Sequence, residues 1–180
     1  MNRKIFIDAG SNDGESCLWF LKNNPEFECY AFEPNPKFTK YYRNQKNIKL
    51  LIAAVWIKEE LKKFFLDSSK KQLGSTLFDH KKTGKLNKDN FVTTQCIDFS
   101  KWLKQNFDLT DTIILKMDIE GAEYFVLDKM IEDQTINMIK ILYIEWHDNK
   151  IDFPKFNIDE LKIKLLSKIS QILPWKDPPK

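Results

Sequence analysis

Several features are scarce in this chain, and each scarcity excludes a class of protein. No apolar run approaches the roughly 18 residues that a bilayer-spanning helix requires. Met1-Asn2-Arg3-Lys4 leads into a strand-like segment, not into the apolar region of an export signal. A soluble, intracellular, cytoplasmic protein without a membrane partner is expected. Cysteine is limited to Cys17, Cys29 and Cys96, an odd number at wide spacing without C-x-x-C pairing. That pattern argues against a disulfide framework or a zinc knuckle and predicts reduced, mostly buried thiols. A net charge of +3 is too mild to mark a nucleic-acid-binding surface by itself. Repeats, low-complexity stretches and domain linkers are absent, so 180 residues, 42% hydrophobic and 31% charged, read as one domain over 1–180.

What is present points first to a nucleotide-binding corner. The apolar run Ile5-Phe6-Ile7 ends on Asp8-Ala9-Gly10-Ser11-Asn12-Asp13-Gly14, and a second run ends on Phe32-Glu33-Pro34-Asn35-Pro36. Glu33 follows Asp8 by 25 residues, near the offset of about 20 at which a carboxylate holds a ribose in strand–helix–strand units. Gly10 leaves room for close approach of the backbone, and Gly14 suits tight packing or a positive φ. The G-x-G-x-x-G pattern is nevertheless missing, because Asn12 stands where its second glycine would make space for a pyrophosphate. An adenosine ligand with a short, zwitterionic tail fits better.

Apolar runs alternate with helical patterns, which predicts an α/β fold with a mostly parallel sheet and helices on both faces. Strands are expected over 4–8, 28–32, 48–55, 112–117 and 139–144. Helices are expected over 13–24, from an Asn35 cap with Pro36 at the first turn to about 44, over 99–106, over 122–132 and over 158–173. Between the third and fourth strands lies an insertion of about 58–98, with short strands at 64–66 and 91–96. It carries nine lysines (58, 62, 63, 70, 71, 81, 82, 85, 88) against Glu59, Glu60, Asp67 and Asp79. A solvated lysine-rich connection is its default reading, and attraction of an acidic or phosphorylated acceptor the alternative.

Six blocks in order resemble the FkbM-type S-adenosylmethionine-dependent methyltransferases: 6–14, 31–36, Ala53-Ala54-Val55, Gly74-Ser75-Thr76-Leu77, 115–123 and Tyr143-Ile144-Glu145-Trp146-His147. From the first to the last they span about four fifths of the chain. Lys116-x-Asp118-x-Glu120-Gly121-x-Glu123 after an apolar strand is the most specific of them. The resemblance implies a Rossmann-like class I methyltransferase fold, with S-adenosylmethionine as cofactor and S-adenosylhomocysteine as product. It also implies an acceptor that is a small polyhydroxylated molecule, a sugar or nucleotide-sugar. Asp8 would order the turn at the methionine end, backbone N–H groups near Gly10 and Ser11 would hold the carboxylate, Glu33 would take the ribose hydroxyls, and Ala54 would lie beside the adenine; Asn12 belongs to the same cofactor-binding set. Sheets of this class commonly close with a hairpin of strands six and seven. Too little chain follows the last helix for that, so the sheet is expected to end at strand five. Its edge would then need cover from the insertion, the tail with Trp175, or a second copy in a homodimer.

Methyl transfer to oxygen needs in-line geometry and the removal of one proton. The candidates are Asp118 for acceptor orientation or proton removal, His147 as the alternative base, and Lys116, Glu120 and Glu145 as supporting charges. Histidine, at about 6.5, is better matched to neutral pH than aspartate at about 3.9. Asp118, Glu145 and His147 also suit a divalent ion, but their spacing is not diagnostic and no resident metal is expected. Methylation of an RNA ribose, motivated by the lysines, and a cofactor-binding protein without turnover are the alternatives; the first would show salt-sensitive RNA binding.

Overall fold

The computed structural model describes residues 2–148, 150–151 and 157–175. Six strands form its main sheet: β1 (Lys4–Ala9), β2 (Glu28–Phe32), β3 (Ile48–Leu51), β7 (Thr112–Met117), β8 (Ile139–Ile144) and β9 (Gln171–Pro174). All pair in parallel, in the order β3-β2-β1-β7-β8-β9. Counted among themselves these strands run 3-2-1-4-5-6, so the order reverses between β1 and β7, where doubly wound sheets hold their ligands.

Alternation along β1 divides the core between the two faces of the sheet. Ile5, Ile7 and Ala9 join Leu103 of α3 (Phe99–Asn106), Tyr124, Leu127 and Met130 of α4 (Glu123–Glu132), and Leu161 and Leu165 of α5 (Ile158–Leu166). Phe6 points the other way, with Cys17 and Phe20 of α1 (Glu15–Asn23) and Tyr42 of α2 (Thr39–Tyr42). Phe6 and Phe20 stack with ring centroids 3.9 Å apart; full burial of a phenylalanine contributes about 1.5–3 kcal/mol. The fold is therefore the Rossmann-like one expected, with helices on both faces.

The expected strand over 48–55 is two strands. Leu51 O accepts the N–H groups of both Glu33 (3.1 Å) and Ala53 (3.0 Å), which ends β3, and the chain re-enters regular structure as β4 (Ala54–Trp56) in a second sheet. There β4 pairs in parallel with β6 (Leu86–Asp98), which pairs antiparallel with β5 (Glu60–Asp67). The insertion strands are thus far longer than the apolar clusters at 64–66 and 91–96 suggest, because alternating Lys, Thr and Asn positions on a solvated face continue the ladder.

The last helix stops at Leu166, not Leu173, and the sheet does not end at strand five. Ser167 Oγ donates to Lys164 O at 2.7 Å as the helix ends. β9 then pairs with β8, Leu142 opposite Ile172. Covering an otherwise open edge outweighs the helical spacing of the segment, and Pro174 is tolerated at the free side of an edge strand. Among the described residues no antiparallel strand joins this sheet, so the usual hairpin is replaced by one parallel strand. Trp19 is 38% exposed and meets Trp175 edge-on at 6.1 Å. Cys17, Cys29 and Cys96 are free and buried. Among the described residues no helix is long and apolar enough to cross a membrane.

Candidate active site

The turn after β1 is built by glycine and by the neighbouring strand ends. Gly10 has φ +84°, and a Cβ placed there would lie 1.8 Å from Asp118 O. Its hydrogen atom therefore makes room for the backbone beyond β7, in addition to any ligand. Gly14, at φ +81°, begins α1 against the Tyr42 ring, which a Cβ would meet at 2.9 Å. The N–H groups of Gly10 and Ser11 both donate to Phe32 O, at 3.1 and 3.0 Å. Ser11 Oγ accepts from Tyr42 Oη at 2.7 Å. The expectation that the Gly10 and Ser11 amides hold a ligand carboxylate does not fit this geometry, since strand β2 already occupies both donors.

Asp8 is wholly buried and accepts from Ser16 Oγ and, at 3.3 Å, from Cys17 Sγ. Its Oδ1 lies 3.0 Å from Lys116 Nζ, an ion pair without aligned hydrogen-bond geometry. Lys116 is itself buried and donates to Gly10 O at 2.9 Å. Burial alone would lower its pKa, but the carboxylates of Asp8 and Asp118 hold it well above the usual lysine range. Asp8 and Lys116 thus join β1 to β7 beneath the turn.

Glu33, 6% exposed, accepts from Asn35 N at 2.7 Å through Oε1 and from Asn12 N at 3.0 Å through Oε2. A carboxylate has about four lone-pair sites, so acceptor capacity remains on both oxygens. Burial pushes its pKa up to about 7 despite the two amide donors. The sequence-predicted Asn35 cap is present, with Oδ1 accepting from Lys37 N at 3.0 Å.

Beyond β7 four carboxylates surround one imidazole. His147 is wholly buried; its Nδ1 lies 2.9 Å from Glu123 Oε1. Its Nε2 faces Glu120 Oε2 at 3.4 Å, Glu145 Oε1 at 3.5 Å and Asp118 Oδ1 at 3.7 Å. Burial would lower the pKa of His147, but Glu120 and Glu123 push it up to about 10. Burial raises Asp118 to about 6 against the opposing charge of Lys116. Burial also opposes ionisation of Glu120, yet His147 and Lys81 hold it below the usual range. Glu145 is the outermost of the four and pairs with Lys150 Nζ at 3.3 Å.

Between Glu33 and Asp118 opens a cavity of about 330 Å³ that reaches Gly10, Asn12, Ala54 and Glu145. Its roof is the insertion, through Gln72, Leu73, Ser75 and Leu77. The roof is tied at both ends: Asn35 Nδ2 donates to Gln72 Oε1 at 3.0 Å, and Thr76 Oγ1 donates to Glu120 O at 2.7 Å. One roofed cleft, open to solvent on one side, thus lies at the reversal point of the sheet, with the second-strand carboxylate and the post-β7 aspartate in its wall. The family model for the methyltransferase FkbM domain matches residues 8–172 of this chain. The chain belongs to the FkbM methyltransferase family. No curated protein and no solved structure matches it.

In this FkbM methyltransferase the cavity collects Gly10, Asn12, Glu33, Ala54, Asp118 and Glu145 from the sequence-predicted set. Asp8, Ser11, Lys116 and His147 stand behind its walls. Seven of the nine insertion lysines are exposed, as the default reading expects; Lys62 is half-buried and Lys81 is buried. Lys81 is a residue the sequence reading missed. Its Nζ reaches Glu120 Oε2 at 2.5 Å and Gly74 O at 2.8 Å, and nothing distinguishes it in sequence from Lys82. Glu123 begins α4, as a helix-start carboxylate would, and it also accepts from Ile119 N and Gly121 N, both at 2.8 Å. Tyr42 was likewise visible only as part of a helix. Trp146 packs at 5.7 Å on Tyr124 and under Lys162 Nζ at 4.8 Å.

Proposed function

We propose that the chain is an S-adenosylmethionine-dependent O-methyltransferase acting on a hydroxyl of a small polyhydroxylated acceptor of the sugar or nucleotide-sugar class. The observation that carries this reading is the placement of Glu33 and Asp118 in the walls of one cavity at the β1–β7 reversal. Glu33 takes the ribose hydroxyls on its remaining lone pairs, while Asn12 and Asn35 hold its carboxylate still. Ala54 leaves space for the adenine. Lys116 is a positioning residue, since it binds Asp8 and the Gly10 carbonyl and does not line the cavity.

The leaving thioether needs no acid, so the protein has to orient the acceptor oxygen and accept one proton. Orientation contributes roughly 7–11 kcal/mol in favourable cases and a general base about 3–5 kcal/mol, so placement dominates. Asp118 is the group that receives the acceptor hydroxyl as a hydrogen bond. His147 has no opening to the cavity and acts through the carboxylates around it. A roofed space of about 330 Å³ favours a small acceptor over a folded RNA; pockets for small ligands begin near 300 Å³. The test is calorimetric titration with S-adenosylhomocysteine beside NAD, followed by transfer of labelled methyl to a panel of free and nucleotide-linked sugars. Selective binding with transfer to at least one sugar supports the reading. Preference for NAD, or transfer only to RNA, overturns it.

A further inference from the structure

The imidazole of His147 is fixed in a way that a hydrogen-bonded core histidine does not require. Glu123 anchors it from one side: Oε1 lies against Nδ1, and the same carboxylate is held by the N–H groups of Ile119 and Gly121. On the other side Nε2 is buried and has no hydrogen-bond partner among the described residues. It nevertheless faces three carboxylates at 3.4–3.7 Å. A histidine whose Nδ1–H is held by a carboxylate is oriented to give its Nε2 lone pair to a cation that displaces the proton there, which is the usual support behind a metal-ligating imidazole.

The three carboxylates are supported in the same manner. Lys81 pairs with Glu120 at 2.5 Å, Lys150 with Glu145 at 3.3 Å, and Lys116 lies 3.8 Å from Asp118. Charge bears on the occupant as well. Asp8, Asp118, Glu120, Glu123 and Glu145 face three lysines within ion-pair distance. A cation at Nε2 displaces the proton there, and the neutral imidazole then leaves two negative charges over, the complement of one divalent cation. Ligands about 2.1 Å from a common ion stand about 3.0–3.4 Å apart in octahedral or tetrahedral geometry, a few tenths of an ångström inside the 3.4–3.7 Å between Nε2 and each of the three carboxylates. Asp118, Glu123 and His147 can each bring a ligand atom within 4.8 Å of the other two.

We propose that His147 Nε2, with carboxylate oxygens of Asp118, Glu120 and Glu145, forms a binding site for a first-row divalent cation of the Mn²⁺ class, and that Glu123 orients the imidazole. One nitrogen and three carboxylates suit such an ion. The sequence spacing of Asp118, Glu145 and His147 did not indicate it, because Glu120 and the orienting Glu123 become neighbours of His147 only in the fold. The inference stands on this geometry and is independent of the methyl-transfer reading.

The test uses the full chain, stripped with a chelator and titrated with Mn²⁺ while free ion is followed by its paramagnetic resonance signal. S-adenosylhomocysteine binding is measured on every sample. One Mn²⁺ per chain is expected. His147→Gln and Glu145→Gln should each weaken it about tenfold or more, the size of effect that even supporting residues have at such sites, with the circular dichroism spectrum of the Glu145→Gln chain unchanged. Glu145 is half-exposed, so its variant tests the site even where His147→Gln fails to fold. Absence of Mn²⁺ binding at millimolar ion, or binding unaffected by Glu145→Gln, overturns the proposal. Loss of S-adenosylhomocysteine binding with Mn²⁺ binding intact would instead count against the cofactor reading alone.

Discussion

Lys81 and Glu120, 39 residues apart in sequence, form a buried ion pair with Nζ 2.5 Å from Oε2. It is the strongest polar tie between the insertion and the loop after β7. Together with Thr76 Oγ1 on Glu120 O, it sets the height of the roof above the cavity.

Lys81→Met should therefore both destabilise the chain and loosen the roof. Removing one partner of a buried pair costs about 3–5 kcal/mol, which corresponds to a fall in Tm of roughly 6–20 °C for a chain of this size. Differential scanning calorimetry measures it. Lys81→Met with Glu120→Met should cost less than Lys81→Met alone, because no unpaired charge is left buried; an equal or greater cost would place the effect elsewhere.

Glu33→Gln should weaken S-adenosylhomocysteine binding by about 10–100-fold, since a hydrogen bond to a charged group contributes about 1.5–3 kcal/mol. Calorimetry on the purified variant measures this. Unchanged affinity would remove Glu33 from the ribose.

Glu33 also implies a pH dependence of cofactor binding. Its pKa of about 7 lies above the ordinary 4.5, and the ionised carboxylate is the form that accepts both ribose hydroxyls. Affinity should be complete above pH 8 and fall as pH drops through about 7, approaching tenfold per unit. In the ligand-free chain the sign is opposite. The folded state keeps a proton that the unfolded state releases between pH 4.5 and 7, so this group's contribution to stability declines as pH rises through that window. Titrations from pH 5.5 to 8.5 should show the slope in the wild type and not in Glu33→Gln.

Much of the fold was legible because its cues are local. β2, β7, β8 and α3 were predicted to the residue from apolar runs bounded by polar turns. The Asn35-Pro36 cap needs only its own neighbours. What escaped depends on partners distant in sequence. Ile48 to Val55 reads as one apolar run, and only the two demands on the Leu51 carbonyl split it. Residues 167–173 have helical spacing, yet the open edge of β8 recruits 171–174 as a strand. In the site, Asp8, Glu33 and Asp118 follow from strand ends in the sequence. Lys81 does not, because its burial is decided by Glu120 and Gly74.

Asp118→Asn should leave S-adenosylhomocysteine affinity within about threefold of the wild type and lower turnover by about 10²–10⁴-fold, the range for a positioned proton acceptor. Single-turnover methyl transfer separates this from a binding defect. The opposite pattern, weak binding with normal turnover, would reverse the roles given to Glu33 and Asp118.

Gly10→Ala should yield little folded protein. The added methyl group would stand 1.8 Å from Asp118 O at a φ of +84°, and neither backbone segment is free to retreat, since Asp118 N donates to Ala9 O at 3.0 Å. Soluble yield and Tm measure the effect; a variant as stable as the wild type would mean that the β1 and β7 ends do not approach this closely.

The parallel pairing of β9 with β8 also bears on the order in which the chain is made. The other five strands of the main sheet lie before residue 145, so a nascent chain can assemble them while β8 still presents an unpaired edge. That edge stays open to other chains until synthesis passes Pro174, and parallel pairing with an intervening crossover is slow to form. In the folded chain the last-made of these strands is therefore the one that seals the sheet edge.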